Sequence, residues 1–160
     1  VSWLRLWPGI RAGQPAPGFE LLDEEGRQHR LDHYRGRWLL VFFYPQDGSP
    51  GCMREACRFN DDYGLFTELG CELLGCSGQD AESHRRFRQG CRLRYRLLSD
   101  PDRAMREAWG VPHLFRLLDL RSSYLIDPQG MLRWAYHGIL DPEQHCIRAL
   151  AFLRQHAAAL

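Results

Sequence analysis

Trp38-Leu-Leu-Val-Phe-Phe-Tyr44, followed at once by Pro45-Gln-Asp-Gly-Ser49-Pro-Gly-Cys52-Met-Arg-Glu55-Ala-Cys57, is the stretch that decides the fold. An unbroken apolar and aromatic run of this length reads as a strand covered on both faces, the pattern of a central strand. The breaker cluster Asp47-Gly-Ser-Pro-Gly51 ends it. Residues 52–69 then read as a helix that stops at Gly70, so Cys52 falls in its first turn. Unpaired backbone N–H groups and the helix dipole favour negative charge there, and the thiolate is the nucleophilic form of cysteine. A cysteine at such a junction points to redox chemistry.

Outward from this stretch, strands and helices alternate. Phe19–Asp23 and Gln28–Leu31 read as a hairpin around Gly26, and Cys71–Cys76 as a short strand. Ala81–Gln89 reads as a helix ending near Gly90, Tyr95–Leu98 as a strand, and Asp102–Trp109 as a short helix ending at Gly110. Ser122–Ile126 and Met131–Tyr136 form a second hairpin across Asp127-Pro-Gln-Gly130. Pro142–His156 is a terminal amphipathic helix whose Ile147, Leu150, Ala151 and Leu153 suit packing on a sheet. Residues 1–18, with Pro8, Pro15 and Pro17, look irregular, and 1–12 read as an N-terminal extension. The expectation is one α/β domain over residues 1–160, a mixed central sheet flanked by helices, in the order of the thioredoxin-like architecture.

The chain has 160 residues, 44% of them hydrophobic and 12% aromatic, enough for a sizeable core. Its 21 basic residues, all arginine, nearly balance 20 acidic ones, which gives no reason to expect nucleic acid or an anionic membrane as partner. No apolar run approaches the ~18 residues of a membrane span. The start, Val1-Ser-Trp-Leu-Arg-Leu-Trp-Pro-Gly9, is too short and polar for a signal peptide. Six cysteines, at 52, 57, 71, 76, 91 and 146, are therefore read as reduced cytoplasmic thiols, one or two of them chemically active.

Pro45-x-x-x-Ser49-x-x-Cys52 resembles the active-site signature of peroxiredoxins, and the run through Glu55-Ala-Cys57 resembles the bacterioferritin-comigratory-protein, or peroxiredoxin Q, subgroup. Leu97-Leu-Ser-Asp-Pro101, Ala108-Trp-Gly-Val111 and Arg121-Ser-Ser-Tyr-Leu-Ile-Asp-Pro-Gln-Gly130 extend the resemblance in the right order. It implies a peroxidatic Cys52 that attacks a hydroperoxide and becomes a sulfenic acid. It implies that Arg121 is the cation stabilising the transition state, that Ser49 bonds the thiolate or the peroxide, and that Pro45 shields the pocket. Glu55, one turn after Cys52, would orient Arg121; read alone, it is also a favourable exposed first-turn acid. Ser49 replaces the more usual threonine, and Met53 the subgroup's common threonine. No metal or organic cofactor is implied, and no ligand cluster requires one.

On an intact helix Cys52 and Cys57 have Cα atoms about 8.6 Å apart on different faces. A disulfide needs less than about 7 Å. The resemblance implies that Cys57 resolves the sulfenic acid, so the first turns of the helix must unwind in each cycle. Cys91 is the rival, although the corresponding position in some relatives falls at Arg88. Cys71, Cys76 and Cys146 read as structural thiols. The resemblance also implies recycling by thioredoxin or a similar dithiol, and a monomer. Two alternatives remain: a thiol–disulfide oxidoreductase, which lacks its Cys-x-x-Cys here, and a copper-binding module on the same fold using His113 or His137.

Overall fold

A computed structural model of the chain describes residues 9–114 and 118–157. The first part of the expected N-terminal extension, residues 1–8, lies outside them. The main sheet has seven strands in the order β2-β1-β5-β4-β3-β8-β9. These are β1 (Glu20–Asp23), β2 (Gln28–Arg30), β3 (Trp38–Phe43), β4 (Cys71–Ser77), β5 (Arg96–Ser99), β8 (Ser122–Ile126) and β9 (Leu132–His137). β3, β4 and β5 run parallel, while β1 and β2 on one side and β8 and β9 on the other are antiparallel additions. The expected mixed α/β sheet is therefore present. A short pair, β6 (His113–Leu114) and β7 (Leu118–Asp119), was not foreseen.

β3 is buried throughout because it has a strand on each side and a packed layer on each face. Alternate residues serve opposite layers, as the period of a strand demands. Leu40 and Phe42 join Phe59, Phe66, Phe87, Tyr95, Leu150 and Leu153 under the helices. Leu39, Val41 and Phe43 join Phe19, Trp109, Tyr124 and Leu132 on the other face. Phe42 stacks on Phe59 at 4.5 Å, and Trp109 meets Tyr124 edge-on at 5.3 Å. Gly75 permits this packing, since a side chain there would meet Leu97 at 2.7 Å.

The helices are α1 (Pro50–Asp61), α2 (Tyr63–Glu68), α3 (Ala81–Cys91), α4 (Ala104–Trp109) and α5 (Glu143–His156). Three differ from expectation in ways that matter. The single helix 52–69 is two helices, and the first begins at Pro50. Ser49 caps it and Pro50, with its φ preset, occupies the first helical position. The break falls at Asp62, whose backbone (φ −97°, ψ 7°) leaves the helical region while its carboxylate binds Arg58 Nε at 3.1 Å. α3 runs through Gly90 to Cys91 and is ended by Arg92, which takes the left-handed conformation (φ 52°) that glycine was expected to supply. α5 buries His145, Cys146, Ala149, Leu150 and Leu153. Its Ile147 and Ala151, expected to face the sheet, are exposed. Leu150 and Leu153 are buried as expected, and the buried face runs on through His145, which has polar partners inside.

Candidate active site

The sheet register explains why residues 69 positions apart meet. β8 is antiparallel to β3, and Ser122 pairs with Phe43, so the start of β8 lies beside the end of β3. Arg121 precedes β8, and the loop 44–49 leads from β3 into α1. The guanidinium therefore arrives at the N-terminus of α1, where Arg121 Nη1 donates to Cys52 Sγ at 3.2 Å. Both residues are buried. Gly51 makes the approach possible, because a Cβ there would lie 2.6 Å from Arg121 Nη2. The sulfur thus faces a fixed cation at the start of a helix, where the helix dipole is also positive.

Ser49 Oγ donates to Gln46 O at 3.3 Å and accepts from Cys52 N–H at 3.4 Å. Its hydroxyl hydrogen goes to the loop backbone rather than the sulfur, so it acts here as the helix cap. Pro45 is half-buried, and its carbonyl accepts from Gln79 Nε2 at 3.4 Å.

Glu55 is wholly buried rather than an exposed first-turn acid. Its Oε1 is 3.7 Å from Arg121 Nη1 and its Oε2 3.9 Å from His145 Nε2, and neither oxygen has a hydrogen-bond partner among the described residues. Burial pushes its carboxyl up to about 8, against the pull of the Arg121 charge. The carboxyl is then mostly neutral at pH 7, and the guanidinium charge is left for the sulfur. Arg121 Nε is likewise buried and without a hydrogen-bond partner among the described residues.

Two supporting groups were missed in the sequence. His145, on α5, hydrogen-bonds Ser123 Oγ through Nδ1 at 2.8 Å and Gly138 O through Nε2 at 2.8 Å. A carbonyl only accepts, so Nε2 carries the proton and Nδ1 accepts from the serine. Burial first, and then the Arg121 charge, hold this imidazole low, to about 4. Gly138 N–H in turn donates to Arg121 O at 3.1 Å, so His145 braces the backbone that carries the guanidinium. The second group is a network at the loop 44–49. Asp47 accepts from Tyr44 OH (2.6 Å) and Ser83 Oγ (2.8 Å) and faces His84 Nδ1 (2.6 Å), while His84 Nε2 faces Leu98 O. A lone buried histidine gives no signal in sequence, and both pairings span distant segments.

Of the other cysteines, Cys71, Cys76 and Cys146 are buried, and burial pushes all three thiols well up. Cys57 and Cys91 are half-buried, and burial, with Cys57 adding to it, pushes the Cys91 thiol up. His137 Nδ1 is hydrogen-bonded to Ser122 Oγ at 2.7 Å, and no group of three metal-ligating side chains occurs among the described residues.

An open groove of about 870 Å³, lined by Ile10, Pro112, Leu120, Ile139 and Leu140 among others, includes neither Cys52 nor Arg121 in its lining. Among the described residues no helix is long and apolar enough to cross a membrane.

These features have counterparts in known proteins. Residues 12–135 match the AhpC/TSA family. The chain is 40% identical over 146 residues to the chloroplastic peroxiredoxin Q of Suaeda salsa, covering 91% of this chain and 68% of the relative. It is 40% identical over 150 residues to that of Arabidopsis thaliana, covering 93% and 69%. Among solved structures, the peroxidoxin BcpB of Mycobacterium tuberculosis superimposes with a TM-score of 0.85 at 29% identity, over 92% of this chain and 98% of that one. The peroxiredoxin Q of Xanthomonas campestris does so with a TM-score of 0.83 at 30% identity, over 91% and 98%. With a thioredoxin-like sheet, a buried cysteine–arginine pair at a helix start and these relatives, the chain belongs to the AhpC/TSA family, in its peroxiredoxin Q group of thiol peroxidases.

Proposed function

We propose that Cys52 is the peroxidatic residue and that Arg121 is its catalytic cation. The observation that carries this reading is the 3.2 Å contact from Arg121 Nη1 to Cys52 Sγ. The thiolate attacks the terminal oxygen of a hydroperoxide; an S–O bond forms, the O–O bond breaks, and the leaving oxygen takes a proton to become water or an alcohol. Negative charge moves from sulfur to the departing oxygen. Arg121 can follow it, with Nη1 on the sulfur and Nε–H, unpartnered among the described residues, available to oxygen. Glu55 positions the guanidinium by contact while burial keeps it from neutralising the charge. Ser49 fixes the helix end, and Pro45 walls the pocket.

Cys57 then attacks the sulfenic sulfur, water leaves, and a Cys52–Cys57 disulfide forms. With Cys57 on the same helix, this needs the first turns of α1 to unwind. A dithiol of the thioredoxin type restores both thiols. The substrates in this reading are hydrogen peroxide and organic hydroperoxides. We place the protein, as a monomer, in the cytoplasm.

The test is reduced protein mixed with hydrogen peroxide, or cumene hydroperoxide, and a thioredoxin system, following NADPH loss. Turnover is expected in the wild type and none in Cys52→Ser. A wild type without turnover, or an active Cys52→Ser, overturns the reading. Stoichiometric copper binding in place of turnover would favour the metal-binding alternative.

A further inference from the structure

In the folded protein the neighbour of Cys57 is not Cys52 but Cys91. Cys57 sits in the middle of α1 and Cys91 in the last turn of α3, where the two helices touch, close enough for Cys57 to act on the Cys91 thiol. Asn60, one turn beyond Cys57, locks the same helix contact. Its Nδ2 donates to Arg92 O at 3.1 Å, its Oδ1 accepts from Arg94 N–H at 2.9 Å, and its carbonyl accepts from Arg94 Nη2 at 2.6 Å. Cys57 and Cys91 are also the two cysteines that are not buried. Their pairing requires no unwinding of α1, whereas a Cys52–Cys57 bond holds the first turns of α1 open. Refolding of those turns therefore favours moving the bond away from Cys52.

We propose that Cys91 takes over the disulfide: its thiolate attacks Cys57 Sγ, a Cys57–Cys91 bond forms, the Cys52–Cys57 bond breaks, and the electron pair leaves on Cys52 as a thiolate. This rests on Cys57 being the residue that resolves the Cys52 sulfenic acid. The oxidising equivalent comes from the hydroperoxide, and the exchange consumes no further reductant or oxidant. As α1 refolds, the released Cys52 sulfur returns to Arg121. The dithiol reductant then meets a half-exposed Cys57–Cys91 bond rather than one at the buried active site. Burial, with Cys57 adding to it, pushes the Cys91 thiol up to about 12, so the transfer follows resolution and quickens as pH rises.

Trypsin can read each bond. Cleavage after Arg37, Arg54, Arg58, Arg88 and Arg92 puts Cys52, Cys57 and Cys91 on separate peptides, 38–54, 55–58 and 89–92. Reduced protein receives one equivalent of hydrogen peroxide, is quenched in acid at intervals, alkylated and digested. The 38–54/55–58 pair should appear first and give way to 55–58/89–92, with Cys52 recovered as free thiol. In Cys91→Ser the first pair should persist. Without reductant the wild type should consume a second equivalent of peroxide, and Cys91→Ser only one. Persistence of 38–54/55–58 in the wild type overturns the transfer, as does a 38–54/89–92 pair. Cys52→Ser oxidised with diamide tests the pairing without any peroxidase step: 55–58/89–92 is expected, and its absence overturns the transfer alone. Failure of the wild type to consume any peroxide would instead overturn the peroxidase reading on which the transfer rests.

Discussion

Gly51 and Arg121 share one space: a methyl group on Gly51 would lie 2.6 Å from Arg121 Nη2, at the start of α1. The atom displaced would be the far end of a flexible side chain rather than backbone. Gly51→Ala should therefore leave stability within about 1 kcal/mol of wild type, since alanine also favours the helix. The guanidinium should be pushed off Cys52, and the rate of Cys52 oxidation should fall about 10-fold or more. Stopped-flow peroxide kinetics beside urea unfolding would check both halves. An unchanged rate would mean that the arginine finds an equivalent position.

Removal of the cation itself should cost more. Arg121→Met should slow Cys52 oxidation about 10²–10³-fold, the range for losing a preorganised donor at a developing charge. Arg121→Lys keeps the charge but not the fork that reaches sulfur and oxygen together, so it should recover only part of the loss. Single-turnover measurement of Cys52 thiol loss separates these effects from the reductant step. A wild-type rate in Arg121→Lys would show that the fork contributes nothing beyond its charge.

Glu55 and His145 make opposite contributions to stability as pH changes. Glu55 is raised to about 8 from 4.5, so its contribution is full below pH 4.5 and is lost as pH climbs towards 8. His145 is lowered to about 4 from 6.5, so its contribution is present above pH 6.5 and is lost as pH falls towards 4. The two slopes oppose one another from pH 4.5 to 6.5, and above 6.5 Glu55 is the one of the pair still titrating. Between pH 6.5 and 8 the wild type should lose about 2 kcal/mol that Glu55→Gln does not lose. Urea titrations at the two pH values measure this. Parallel losses in both proteins would mean that Glu55 is ionised throughout.

Asp47 holds the loop before α1 by bonding three side chains. Asp47→Ala would strip the acceptor from Tyr44 OH and Ser83 Oγ and the partner from His84 Nδ1 together, two of these groups on wholly buried residues. The expected cost is about 3 kcal/mol or more. Asp47→Asn should recover part of it. The same variants should slow peroxide reduction by loosening the loop that carries Pro45 and Ser49. Unfolding curves and peroxide kinetics on both proteins check this, and a stable, fully active Asp47→Ala would show that the loop is held by other contacts.

What could be read in the sequence was local. The burial of β3, the breakers at 47–51 and the position of Cys52 in a first helical turn all follow from neighbouring residues. Arg121 entered by resemblance, and the register of β8 on β3 supplies the physical reason for its position. What escaped depends on partners far along the chain. The apolar pattern of α5 pointed to Ile147 and Ala151, but the buried face runs on through His145, which bonds to Ser123 and Gly138. Gly90 looked like a helix stop, yet Arg92 takes the left-handed position, and the two extra residues carry Cys91 into the helix, facing α1. Glu55 looked the same in sequence whether exposed or buried; the packing of α5 over α1 decided it.

The clasp of Asn60 on Arg92 and Arg94 divides α1 into an end that can open and an end that stays seated. Phe59, beside Asn60, lies on the seated side, stacked on Phe42. In the proposed cycle the opening around Cys52 would stop short of that stack, so the aromatic core would stay covered at the moment when damaged, aggregation-prone chains are most abundant around it.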